Sequence, residues 1–344
     1  MPGTEHLALY RIIILLLIST LSFSQVNPDK NVDNLIRKGI HNLVIHNYKK
    51  SLGNFKILTK TYSSLPLGDI FTAAVFIAEA NDYGEKADID TINKLLTRAA
   101  EKAKILYEAA PDDLWNSYYY ALIKGYSAYF EALNDNYITA FADGLSSISY
   151  FEKCIAKDSS FYEAYLALGI YKYWRSEKTA SLTWLPFIED EREVGIKFLK
   201  FALKHDCYNS YLGINSLLWI YINQKEYNKA INVVENSGNK YKDCRFLKWA
   251  LADAYERIDK KKAISIYYEL LNFYDRMPGQ NHLNEIVLKH KIAMLYEQTG
   301  EFNKALKLCD EILGLKSLNG YVKENLQERL ERVESLKIKL GSSK

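Results

Sequence analysis

Apolar residues recur every three or four positions through the C-terminal third of the chain, which is the spacing of one face of an α-helix. In the stretch IAMLYEQTGEFNKALKLCDEI, Ile292, Ala293 and Tyr296 share one helical face, and the pattern is interrupted at Gly300. A second apolar face follows it, made of Phe302, Ala305, Cys309 and Ile312. The pattern predicts two helices joined by a tight turn, with small alanines where the helices cross closely.

The same pattern recurs upstream. Leu218, Ala252 and Ala293 hold equivalent positions, the first two 34 residues apart and the last two 41, and the longer spacing includes a loop with Pro278 and Gly279. This pattern resembles the tetratricopeptide repeat (TPR), a helix-turn-helix unit of 34 residues with small and aromatic residues at fixed positions. The resemblance implies an all-α fold, a right-handed α-solenoid of such repeats whose first helices line a concave face.

One stretch, SLTWLPFIEDEREVGIKFL, breaks the repeat. Gly169 is the equivalent position of the preceding unit, but it lies 49 residues before Leu218. The excess predicts an insert at about 176–192, in the turn between the two helices of one unit. The letters DEREVG are similar to the D-R-x-x-G helix of a eukaryotic TPR family associated with lipid droplets and mitochondria.

The insert carries the apolar residues Trp184, Leu185, Pro186 and Phe187. Leaving such side chains in water is unfavourable, so we expect the segment to fold back over the concave side. A lid or a docking patch is the alternative interpretation. The residues expected beneath it are Tyr173, Trp174 and Trp219.

The remaining periodicity divides residues 25–344 into three parts. Residues 25–160 contain divergent helical repeats, with units at about 32–63, 67–110 and 113–157. Residues 161–315 contain the recognisable tetratricopeptide repeats. Residues 316–344 form a capping helix and tail, because YVKENLQERLERVESLKIKL has the charged exposed face that the open end of a repeat stack needs.

Residues 1–24 have the composition of a secretory signal peptide. Arg11 precedes an apolar run from Ile12 to Ile18, and Ser22 and Ser24 supply the small residues of a cleavage site. An uncleaved anchor is the alternative, but the run is shorter than the roughly 20 apolar residues that span a bilayer. We therefore expect an exported protein, periplasmic or associated with the outer membrane, with no stable membrane span after cleavage.

Composition and charge exclude several classes of protein. The chain has 344 residues, 48% apolar and 25% charged, and only 16 Gly and 6 Pro, which fits a folded helical protein. The net charge of +3 is spread without a basic face, so we expect no nucleic-acid partner. Cys154 and Cys309 lie on apolar helix faces, whereas a disulfide between Cys207 and Cys244 stays open because neighbouring repeats bring them near each other.

No catalytic or cofactor-binding motif is found: the chain has no P-loop, no dinucleotide fingerprint, no HExxH and no nucleophile elbow. His41 and His46 are five residues apart and so point from different helix faces, and we expect both at surface or cap positions. The acids Glu189, Asp190, Glu191 and Glu193 are expected to start a solvated helix. We therefore predict a chain that is not an enzyme and holds no cofactor and no metal.

The repeat frame predicts which side chains line the concave face. Aromatic rings beside Asn, Asp and Arg there would suit a protein or peptide partner, with a small hydrophobic ligand of a solute uptake system as the alternative. Ordinary packing between helices is the competing explanation for the same aromatics. The predicted surface is Tyr173, Trp174, Trp184, Phe187, Asn215, Trp219, Asn223, Trp249, Asp253, Arg257, His290 and Glu297.

Overall fold

The computed structural model describes residues 26–180, 189–277, 281–316 and 318–342. This part of the chain contains fifteen α-helices, one short 3₁₀ helix (Gly238–Tyr241) and no strand. The predicted signal peptide, residues 1–24, and the insert residues Trp184 and Phe187 lie outside the described residues. The helices are α1 Lys30–Val44, α2 Tyr48–Thr61, α3 Leu67–Tyr83, α4 Ile89–Ala109, α5 Leu114–Leu133, α6 Tyr137–Lys157, α7 Tyr162–Lys178, α8 Arg192–Ala202, α9 Ser210–Asn223, α10 Tyr227–Glu235, α11 Arg245–Tyr255, α12 Lys260–Tyr274, α13 Leu283–Gln298, α14 Phe302–Leu313 and α15 Gly320–Gly341.

Consecutive helices pack in pairs, which makes seven helix-turn-helix units, numbered 1 to 7 from α1–α2 to α13–α14, followed by α15. The predicted all-α solenoid of tetratricopeptide-like repeats is confirmed. The described ends of the inserted segment lie between α7 and α8, the two helices of unit 4. In units 1 to 3 the helices run over 30–61, 67–109 and 114–157, each end within three residues of the predicted unit.

Local chemistry sets the ends of these helices. Side-chain oxygens of Asp29, Asp88 and Asp113 accept hydrogen bonds from backbone N–H groups in the first turns of α1, α4 and α5, groups that would otherwise lack partners. The turns of units 1, 3, 5 and 7 share a left-handed residue two positions before the second helix begins. These residues are His46, Asp135, Lys225 and Gly300, with φ between 59° and 78°.

Small residues allow close contact within the units. Ala293 and Ala305 are fully buried in unit 7, as the pattern predicts. In unit 4 the contact is closer still, because Gly169 of α7 faces Gly195 of α8 and each backbone fills the space where the other's Cβ would be. Gly195 is the last residue of the sequence DEREVG, so this motif marks the crossing of α7 and α8.

The solenoid curls back on itself. Asn27, just before α1, donates its backbone N–H to the Tyr208 hydroxyl of unit 5 at 2.8 Å. Arg37 of α1 donates to Asp206 at 2.8 Å. At the other end of units 1 and 2, Asn284 of unit 7 donates to the backbone carbonyl of Asp82 at 2.8 Å. Units 1 and 2 therefore lie across the N-terminal ends of the first helices of units 5 to 7.

All four cysteines, Cys154, Cys207, Cys244 and Cys309, are buried free thiols. The bridge between Cys207 and Cys244 is not formed. Burial raises the pKa of the Cys244 thiol to about 11, so this group stays protonated and unreactive near neutral pH.

None of the described helices combines the length and the apolar character needed to cross a membrane.

Candidate functional site

The predicted concave residues follow helical spacing on the first helices of units 4 to 7. Asn215, Trp219 and Asn223 are four residues apart on α9, and Trp249 and Asp253 have the same spacing on α11, with Arg257 two residues past its end. Side chains four apart share one helix face. The structure thus brings these residues into two parallel stripes.

Exposure along the stripes is graded. Near the start of α9 and α11, Tyr211 is partly buried and Arg245 is buried, because units 1 and 2 pack there. At the opposite end Trp219 keeps 39% of its surface exposed, and Asn223 and Arg257 are exposed. The first-helix face is therefore closed at one end and open at the other.

Unit 4 joins this face through polar contacts beside the insert. Asn223 donates to the Tyr173 hydroxyl at 3.1 Å and to the Glu177 carboxylate at 2.9 Å. Arg192, the first residue of α8, donates to the same carboxylate at 3.0 Å. Tyr173 itself is fully buried, with its ring 5.1 Å from that of Trp174, which is partly exposed.

The two stripes continue into units 6 and 7. Trp249 donates its indole N–H to the Tyr274 hydroxyl at 3.2 Å, and Asp253 accepts from Lys291 at 2.6 Å. Both lie beside Tyr267, whose ring is 6.1 Å from Trp249 and whose hydroxyl is 3.4 Å from Asp253. Tyr267 and Tyr274 belong to the other helix of unit 6, and Lys291 belongs to unit 7. Neighbouring helices therefore hold these side chains, so the surface they form is preorganised.

His290 and Glu297 of α13 contact the capping helix. Glu297 forms an ion pair with Lys339 at 2.6 Å, and the buried His290 Nδ1 lies 3.1 Å from the Arg329 guanidinium. Burial and the positive charges of Arg329, Arg332 and Lys291 lower the pKa of His290 to about 4. Its ring is therefore neutral at pH 7 and accepts the hydrogen bond from Arg329.

The lowered pKa of His290 predicts acid destabilisation. The native state binds a proton on this ring less readily than the unfolded chain does, so the contribution is complete above about pH 6.5 and declines as the pH falls towards 4. We expect the His290→Gln variant to lose about 2 kcal/mol less stability than the parent between pH 6.5 and 4. Urea unfolding at several pH values measures this, and equal slopes for the two proteins would contradict it.

A second group of polar residues joins units 1 and 2 to unit 6 and was not predicted. Asp82 of α3 is buried and accepts hydrogen bonds from the Arg245 side chain, from Tyr48 at 2.8 Å and from Tyr274 at 3.0 Å. His46 Nδ1 lies 3.1 Å from the same carboxylate, and His46 Nε2 accepts the backbone N–H of Arg245 at 2.8 Å. We call these five residues the closure cluster.

His46 was expected at a surface or cap position; it directly follows the C-cap residue of α1, but the expectation of a surface position was wrong. Its ring is buried because the turn of unit 1 packs against the start of α11, where Phe246 lies 4.8 Å from it. Burial lowers the pKa of His46, and the neutral ring can accept from Arg245 while donating to Asp82. Burial raises the pKa of Asp82, but hydrogen bonds from His46 and Arg245 outweigh it and hold the pKa below its usual range.

A His–Asp pair also occurs in catalytic triads, where the free ring nitrogen faces a nucleophile and the substrate. Here His46 Nε2 is occupied by the Arg245 amide and the ring is closed to solvent. The cluster is therefore organised to hold repeats together. Within the described ranges, no grouping of three or more His, Cys, Asp or Glu residues could hold a metal ion.

No family model matches the chain. No curated protein matches it either. Among solved structures, the TPR domain of P58(IPK) is similar over 89% of this chain and 98% of that chain, at 13% identity and a TM-score of 0.24. The assignment of tetratricopeptide-like repeats therefore rests on the chain's own seven helix pairs.

Proposed function

We propose that the chain is a non-catalytic protein-interaction or scaffolding module that binds a partner at the open end of its first-helix face. The observation that carries the proposal is the graded exposure of the two stripes. Trp219, Asn223 and Arg257 stay accessible on neighbouring first helices, although units 1 and 2 cover the other end of the same helices.

The chemistry of this open end suits a protein or peptide. Trp and Arg are the residues that most often contribute large binding energies at protein interfaces, because they combine large contact area with directional hydrogen bonds. Met294 of α13, also exposed, extends the apolar part of the surface. The helices are fixed by contacts across unit boundaries, so little order has to be imposed on binding.

The described flanks of the insert adjoin this surface. The flank before α8 is attached to α7, because the Glu191 N–H donates to the Ser176 hydroxyl at 2.9 Å and the Glu191 carboxylate pairs with Arg175 at 2.6 Å. Arg192 reaches Glu177, which also binds Asn223. The covering role predicted for Trp184 and Phe187 would thus act beside the open end, and it stays a prediction.

Native mass spectrometry of the protein purified from its own host tests the proposal. We expect a protein or peptide adduct with the parent chain, loss of that adduct with Trp219→Ala and Arg257→Glu, and retention with Phe302→Ala, a change of an exposed aromatic on the second helix α14. A bound small hydrophobic molecule would instead support the ligand-carrier alternative. Equal capture by all variants would contradict the proposed surface.

We also propose that the protein is exported to the periplasm or the outer-membrane face. The support is the sequence of residues 1–24, with Arg11, the apolar run and the small residues before Gln25. N-terminal sequencing of the protein isolated from its host should find Gln25 first. An intact Met1 on protein recovered from the cytoplasm would contradict export.

A further inference from the structure

One end of unit 3 exposes a group of large apolar side chains. The N-terminal half of α6 contributes Tyr137, Ile138 and Phe141, which are 65%, 89% and 68% exposed. Buried residues of α6 begin only at Ser147. We call the whole group the α5–α6 patch: Leu133, Tyr137, Ile138, Phe141 and Leu145.

Helical spacing places most of the patch along one side of α6. Tyr137, Phe141 and Leu145 are four residues apart, so they form a stripe along α6, and Ile138 lies beside it. Leu133 ends α5, four positions before α6 begins. An apolar stripe on a helix normally faces a partner helix, and here the partner is missing from the chain's own packing in the described part of the molecule.

The size of the patch matches one side of a stable protein interface. At about 200 Å² for a fully exposed large side chain, the five exposed fractions correspond to about 600 Å². A standard interface buries about 800 Å² on each partner, whereas the largest contiguous apolar patch of a typical monomer measures about 300–600 Å². The patch alone supplies most of the area that a dimer needs.

Charge decides what kind of partner fits. From Tyr137 to Tyr150 the only charged residue is Asp143, and Lys124 neutralises it at 2.6 Å. A helix that lies on a membrane carries Lys and Arg along its polar face, which this stretch lacks. A neutral apolar stripe can meet an identical one without repulsion between like charges.

We propose that the α5–α6 patch is the interface of a homodimer in which α6 packs against α6 of a second copy, antiparallel about a two-fold axis. An isologous contact of this kind needs one self-complementary surface, and the stripe centred on Phe141 provides it. The dimer places two first-helix faces in one particle. Each proposed binding site then lies near a second copy of itself. This arrangement raises the effective affinity for a partner that carries the recognised motif more than once.

Sedimentation equilibrium over a range of concentrations tests the dimer. We expect the parent to dimerise, Phe141→Glu to weaken dimerisation at least tenfold without lowering the melting temperature, and Ile105→Glu to dimerise like the parent. Ile105 is a matched control because it is 66% exposed on α4, outside the patch. A parent that stays monomeric, or a Phe141→Glu variant that dimerises normally, would overturn the proposal. If the parent is monomeric and Phe141→Glu lowers its melting temperature, the patch is covered within one chain. This result would also overturn the proposal.

Cross-linking gives a second, independent measurement. The four native cysteines are buried, so Phe141→Cys introduces an exposed thiol near the proposed two-fold axis. Mild oxidation should convert this variant into a disulfide-linked dimer much faster than it converts Ile105→Cys. Equal cross-linking rates for the two variants would contradict the proposed axis. This outcome is separate from the proposed function, which concerns α9, α11 and α13 in units 5 to 7.

Discussion

Replacing Arg245 by Met should lower the free energy of unfolding by about 3–5 kcal/mol, because it leaves the Asp82 carboxylate buried without its cationic partner. Arg245 donates to both oxygens of that carboxylate, and burial leaves water little access to replace it. Urea unfolding at pH 7 measures the loss. Lys229→Met is the control, because the Lys229 side chain is exposed and water can replace its contact with Glu226, so the free energy of unfolding should change far less.

A double variant separates the loss of the ion pair from the loss of the contact surface. Asp82→Leu with Arg245→Met removes both charges, so it should recover part of the stability lost by Arg245→Met alone. If Arg245→Met lowers the free energy of unfolding by less than about 1 kcal/mol, the closure cluster does not join unit 6 to units 1 and 2 in solution.

Adding one methyl group at Gly169 should cost about 2–3 kcal/mol, although alanine favours the helix more than glycine does. A Cβ at Gly169 would lie 2.8 Å from the Gly195 carbonyl oxygen, and a Cβ at Gly195 would lie 2.6 Å from the Gly169 oxygen. Both obstacles are backbone atoms, so α7 and α8 must move apart to make room. Gly195→Ala is therefore expected to behave like Gly169→Ala.

Gly53→Ala is a control for which the expected change in stability has the opposite sign. Gly53 lies in the middle of α2, is exposed, and has no heavy atom within 4 Å of the place where a Cβ would stand. Its replacement should raise stability by up to about 1 kcal/mol through helix propensity. Thermal unfolding of the three variants compares the two effects, and a Gly169→Ala variant as stable as Gly53→Ala would show that the unit 4 crossing is looser than described.

Much of the fold follows from the sequence because repeats are stabilised by neighbours. Ala293 and Ala305 mark a crossing that the structure confirms, and helical periodicity located units 1 to 3 to within three residues. A further sequence signal was missed. The left-handed turns read HNY, DNY, KEY and GEF, at His46, Asp135, Lys225 and Gly300, and this pattern would have given the register of units 1 and 3.

The closure was not predicted, for a physical reason. A repeat period describes contacts between adjacent units, whereas Asp82 and Arg245 are 163 residues apart and meet through polar side chains. Such pairs produce no periodic pattern in the sequence. Asp82 in the apolar helix LGDIFTAAVFIAEANDY was a weak clue, since a buried acid needs a partner from elsewhere.

The stripes of the candidate surface were predictable from spacing, but their open and closed ends were not. Asn215, Trp219 and Asn223 follow the helical period on α9, which a single sequence reveals. Which end stays accessible depends on where units 1 and 2 fold back. The placement of Trp219 in the open part and Arg245 in the closed part is therefore a property of the tertiary structure.

The most direct test of the closed solenoid is a designed disulfide between Gly84 and Leu283. A Cβ on Gly84 would stand 3.1 Å from the Leu283 Cβ, close to the roughly 3.5–4.5 Å between the Cβ atoms of a disulfide, although the two residues belong to units 2 and 7. The full chain carrying Gly84→Cys and Leu283→Cys, oxidised in a glutathione buffer, should lose the mass of two hydrogens as a monomer and resist alkylation at both positions. Each single variant should stay fully alkylatable after unfolding. If both thiols of the double variant also remain free, units 2 and 7 do not meet and the solenoid is open.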